Sequence, residues 1–202
     1  MNLSYYVWAS DINLYSRKMQ KSHPANDDAM TMLLKKVTAV CLLPYTLWLV
    51  LFYRYHFVDG ANLFIHEAGH MLFLPLGQTL HILGGSFWQL AFPLIAAGYF
   101  WWRRQGYEAA VTCLWFGESL MYTAVYVKDA MVMALPRVGG PIHDWNWLLS
   151  RMGLLGECQI IGTGVHALAS IVVVVSVLYL LFDAFGYSLK PSRLSQGLNS
   201  IA

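Results

Sequence analysis

Four apolar stretches, residues 37–53, 86–102, 108–127 and 159–182, leave this chain few ways to fold. Runs of about 17 to 24 residues with at most an isolated charge match the hydrocarbon core of a bilayer. Backbone amides must there be bonded within the segment, so each run predicts a helix. Of the 202 residues 57% are hydrophobic and only 12% charged, against roughly 25% charged in soluble domains. These features predict an all-α, polytopic integral membrane protein with about five transmembrane helices (four to six), one of them short. The net charge is only +2 and the basic residues are scattered, which removes the footprint of a nucleic-acid partner. Cys41, Cys113 and Cys158 lack metal-type spacing and read as small packing residues.

The short helix is expected over residues 61–74, where Pro75 and Gly77 stop it. Fourteen residues at 1.5 Å each make about 21 Å, less than the ~30 Å of hydrocarbon. Around the apolar block, residues 37–185, lie a polar N-terminal segment, 1–36, read as resting at the membrane surface, and a polar tail, 186–202. No secretory h-region is found near the start, so the N-terminus is expected to be retained. Counted over five crossings, eight Lys and Arg fall on the N-terminal side and five, Arg54 among them, on the other. That excess predicts a cytoplasmic N-terminus.

Within the short segment stands His66-Glu67-Ala68-Gly69-His70. Positions i and i+4 share a helix face, so both imidazoles can hold one ion, with zinc the expected metal. Glu67 is placed to accept a proton from water at that ion. Ala68 and Gly69 leave room for another backbone, either a packed helix or an extended peptide. A catalytic zinc usually has three protein ligands. His143-Asp144 is the best source of the third, carried by a connection that Gly139, Gly140 and Pro141 keep from being helical and that Trp145 and Trp147 suit to an interface. His143 and Asp144 remain alternatives. In a simple five-crossing thread the His66 end and the 143–144 loop lie near opposite faces. The loop must therefore dip inward, or the short helix must not cross fully; either demands a wet pocket.

Glu118 is a carboxylate inside an apolar run, where charge costs on the order of 2.5–3.5 kcal/mol, so it needs a partner. With Tyr122, Tyr126 and Asp129 it forms one helical stripe, expected to bond the ligating imidazoles from behind. The alternative for Glu118 is a protonated side chain bonded to a neighbouring helix. His81 and His166 read as packing residues, and Gly162-x-Gly164 as a helix contact.

These residues resemble the site-2 protease family of intramembrane zinc proteases. The likeness rests on His66-Glu67-x-x-His70 in a membrane segment, followed by Gly84-Gly85-Ser86-Phe87-Trp88-Gln89. In that family a Gly-Pro-x-x-Asn stretch opens the next span and helps to bind substrate. Gly85 stands in the glycine's place, Ser86 in the proline's and Gln89 in the amide's. The family's third ligand is an aspartate of a later Leu-Asp-Gly motif; His143-Asp144-Trp145 stands there in this chain. The resemblance implies a zinc-dependent peptidase cutting a transmembrane protein or peptide within or near its span, with Glu67 as general base. A metal-stabilised scaffold without turnover is the rival expectation. A di-iron oxidase is disfavoured, because five of the seven histidines are isolated.

Overall fold

The computed structural model describes residues 24–136 and 142–186 and contains no strand among them. Most of the polar segment 1–36, nearly all of the tail 186–202, and Gly139, Gly140 and Pro141 lie outside the described residues. Six α-helices follow in order: α1 (Pro24–Phe52), α2 (Phe57–Phe73), α3 (Gln78–Trp102), α4 (Gly106–Asp129), α5 (Asp144–Met152) and α6 (Cys158–Gly186). Two 3-10 turns, Leu74–Leu76 and Leu155–Glu157, lead into α3 and α6. The chain forms two compact units, residues 1–38 and 39–202. The described part of the first is helical; residues 66–70 and 144 lie in the second.

Among the described residues, three helical segments are long and apolar enough to cross a bilayer: Ala29–Phe52, Gln78–Trp102 and Leu155–Gly186. Their outer faces carry exposed large apolar side chains, such as Leu94 and Ile95 on α3 and Ile171, Val175 and Leu178 on α6. α4 differs from them because it is the central helix, packed on α6 along its length and on α3 along one flank. Its polar residues Glu118, Ser119, Tyr122 and Thr123 are buried against protein. That position lets a less apolar sequence occupy the middle of the bundle.

Small residues bring the helices together. A Cβ on Gly117 would lie 2.7 Å from Val173 Cγ2, and one on Gly162 2.9 Å from the Ala124 carbonyl, so both glycines permit the close α4–α6 contact. Gly69 of α2 is covered by the Gly84 backbone and the Trp88 Cβ of α3. The space beside the motif is thus filled by a helix, the first of the two sequence readings.

α2 starts four residues earlier than expected, at Phe57, because the Asp59 carboxylate accepts the His56 N–H at 2.7 Å and caps the helix. α3 starts at Gln78 rather than Ser86. The break before it is at Gly77, whose φ of +93° is reached without strain only by glycine. The first half of α2 lies beside the middle of α4: Asn62 Nδ2 donates to Glu118 Oε2 at 2.7 Å, and Trp115 Nε1 donates to Asn62 Oδ1 at 2.9 Å. The motif helix therefore begins partway along the bundle. Arg54, placed by the five-crossing thread on the face opposite Lys128, shares a pocket with it.

Candidate metal centre

His66 and His70 project from the same face of α2, as their spacing requires, and each is oriented from behind. The Gln89 side-chain amide nitrogen lies 3.2 Å from the Ser119 carbonyl, 3.0 Å from Ser119 Oγ and 3.2 Å from Thr123 Oγ1, all acceptors. Gln89 Oε1 must then face His66, and it accepts from Nδ1 at 3.1 Å. Pro93, four residues on in α3, removes the amide that would bond the Gln89 carbonyl; Ser119 Oγ donates to that carbonyl at 3.4 Å instead. His70 Nδ1 donates to the His81 carbonyl at 2.7 Å, and His81 Nδ1 donates back to the His70 carbonyl at 2.9 Å.

With both Nδ1 atoms donating, both Nε2 atoms present lone pairs, and they face each other at 3.1 Å. Asp144 Oδ2 closes the triangle, 2.9 Å from His66 Nε2 and 3.1 Å from His70 Nε2. Three lone-pair atoms in mutual contact require positive charge among them, supplied by protons or by a metal ion. Donors bound to a tetrahedral zinc stand about 3.3 Å apart, close to the triangle observed. Where protons on the imidazoles supply that charge, burial raises the Asp144 carboxyl, but bonding to His66 and His70 outweighs it and holds the group down at about 2. A Cβ on Gly85 would lie 2.6 Å from His70 Nε2 and 2.7 Å from His66 Nε2. The missing side chain leaves open the space that an ion needs. Geometry and donor chemistry thus fit a two-imidazole, one-carboxylate centre.

Asp144 arrives there because the 142–146 segment is tied to the end of α4. His143 caps α5, its Nδ1 accepting the Asn146 N–H at 3.2 Å, and its Nε2 lies 3.4 Å from Asp129 Oδ2. Asn146 Nδ2 donates to the Ala130 carbonyl at 2.8 Å. Asp129 also accepts the Ala134 and Leu135 N–H groups, each at 3.0 Å. Of the two expected third ligands, Asp144 joins the imidazoles and His143 does not: as an N-cap, its ring is turned towards the turn after α4. The fold thus brings His66 and His70 of α2 together with Asp144 at the start of α5.

Glu67 and the three donors line one pocket of about 550 Å³, together with Ser86, Gln89, Tyr122 and Tyr126 among others. The expected stripe on α4 divides. Tyr122 and Tyr126 face this pocket and Asp129 supports His143, but Glu118 does not reach the imidazoles. It bonds Asn62, with the Tyr53 hydroxyl donating to it at 3.5 Å, and thus takes the alternative role of bonding a neighbouring helix. Gln89 is 2% exposed with both ends of its amide engaged, so it orients His66 rather than offering a free amide to a substrate. His166 Nε2 bonds the Val50 carbonyl at 3.2 Å, away from the centre.

A second donor group, His56, Asp59 and Glu118, lies at the α1–α2 joint. Its acceptors are already met: Asp59 by Tyr53 and the His56 N–H, Glu118 by Asn62 and Tyr53, with the Tyr45 hydroxyl 2.7 Å from His56 Nε2. It braces the joint, whereas the first group has opposed lone pairs. Sequence reasoning missed His56 and Asn62, which only the fold brings to Glu118, and the His81 carbonyl, since a backbone acceptor leaves no mark in a sequence. No family model, curated protein or solved structure matches the chain, so its function is argued from the geometry of this site.

Proposed function

We propose that this chain is a membrane-embedded, zinc-dependent hydrolase, a peptidase cutting within or near transmembrane segments. One observation carries the reading: His66 Nε2, His70 Nε2 and Asp144 Oδ2 converge within 3.1 Å, in a pocket that Glu67 also lines. Two imidazoles and a carboxylate suit zinc among the common divalent ions. A bound zinc supplies a water acidified to near neutral pKa and a Lewis acid for a carbonyl.

The chain's own residues divide the remaining work. Gln89 and the His81 carbonyl hold the imidazoles in the tautomer that presents Nε2. Glu67 accepts the water proton and returns it to the leaving amine. A helical substrate bonds its own carbonyls, so it must unwind locally before one can enter. We assign four crossings to α1, α3, α4 and α6, leave α2 and α5 embedded without crossing, and place the N-terminus in the cytoplasm.

The test uses the protein in liposomes with a panel of labelled single-span peptides, fragments being read by mass spectrometry. Glu67→Gln is expected to keep wild-type zinc content and to lose cleavage by at least about 100-fold, the span typical of general-base catalysis. Cleavage unchanged in that variant rules out the mechanism. Zinc bound equally in both, with no fragments from either, favours the scaffold.

A further inference from the structure

A second pocket, of about 630 Å³, lies where the C-terminal ends of α1 and α4 approach α6. Val125 and Lys128 of α4 line it, and it shares no lining residue with the pocket at the metal-type centre. Its polar wall is Arg54, Lys128 and His166, and its apolar wall includes Leu51, Phe52 and Val125. His166 is fixed there by its bond to the Val50 carbonyl.

Two cations thus share one cavity, and neither has an acidic partner among the described residues. Arginine stays charged at any accessible pH and presents a fork that matches phosphate oxygens; lysine adds a point charge. Like charges held together beside apolar walls repel, and an anion between them removes the repulsion. The apolar wall shows what else the ligand carries. Leu51 and Phe52 are 63% and 67% exposed and end a candidate membrane span, so the wall continues onto a lipid-facing surface. A ligand satisfying both walls has an anionic head and an apolar tail.

We propose that Arg54 and Lys128 hold the phosphate of an anionic phospholipid whose acyl chain lies along Leu51 and Phe52. Tyr53 lines the same pocket and donates to Asp59 in the first turn of α2. An occupied pocket therefore stiffens the joint from which the motif helix starts, and raises thermal stability.

Full-length protein in detergent is titrated with dioctanoyl phosphatidylglycerol, dioctanoyl phosphatidylcholine and inorganic phosphate, following Tm and binding by native mass spectrometry. The anionic lipid is expected to bind about 10-fold or more tighter than the zwitterionic one, the preference two basic residues provide near a membrane. The double variant Arg54→Gln/Lys128→Gln is expected to lose that preference while keeping helicity. Should it fail to fold, Arg54→Gln alone, at an exposed position, is expected to lose part of it. Equal binding of both lipids, or wild-type preference in a folded variant, overturns the proposal. So does inorganic phosphate matching the lipid, which marks a small-anion site. None of these readouts needs zinc or cleavage, so the lipid site and the hydrolase stand or fall separately.

Discussion

Gly85 illustrates how much a single position decides. A methyl there would come within 2.7 Å of both His66 Nε2 and His70 Nε2. Gly85→Ala adds a better helix former inside α3, so helix content is expected to hold or rise. Zinc should nonetheless be lost, because the methyl occupies the ion's space. Circular dichroism beside metal analysis checks this, and full zinc occupancy in the variant contradicts it. His143 makes the complementary point. Its Nδ1 acts as a cap acceptor, a role that an asparagine oxygen can take. His143→Asn is expected to keep zinc and stability near wild type, while His143→Ala loses about 0.5–2 kcal/mol, the usual cost of removing a cap. Thermal unfolding followed by metal analysis separates the two.

At the scale of elements, the motif depends on how closely α2 approaches α3. Gly69 and Gly84 set that distance, and the Gln89 and His81 groups reach the imidazoles only when it is kept. Gly69→Leu is expected to push the helices apart, costing at least the ~1–3 kcal/mol typical of overpacking. It should loosen zinc binding as well, although Gly69 touches no ligand. A lowered Tm together with faster zinc release to a chelator is the expected result; an unchanged release rate would show that the approach is not needed. The helices themselves were legible in the sequence, since apolar runs bounded by Pro, Gly and Arg mark them. The role of α2 was legible only in part. Its shortness showed that it need not cross, but not that it begins beside Glu118, because that depends on contacts between residues over fifty positions apart. Glu118 was misassigned for the same reason: periodicity gives a residue's face, and only packing gives the neighbour. The choice between His143 and Asp144 could not be made from the chain, as adjacent residues at a helix start point in different directions and the capping role belongs to whichever meets the first free N–H.

For the whole molecule, α4 is the organising feature. A central helix that is less apolar than a lipid-facing one carries Ser119 and Thr123 behind Gln89, Tyr122 and Tyr126 on the pocket, and Asp129 under the His143 turn. Around it, α3 and α6 carry exposed apolar faces, while α2 and α5 bring the donors in from two directions. This arrangement places polar groups deep in an apolar protein with nearly all of them bonded: among the described residues only Thr46 Oγ1 and His143 Nε2 are buried without a hydrogen bond. Whether His66, His70 and Asp144 act as one metal centre is decided by metal analysis of the purified protein. About one zinc per chain is expected in wild type, with His70→Ala and Asp144→Ala each reducing it to background. Full zinc occupancy in folded Asp144→Ala, or no metal in the wild type after purification without chelator, would contradict it.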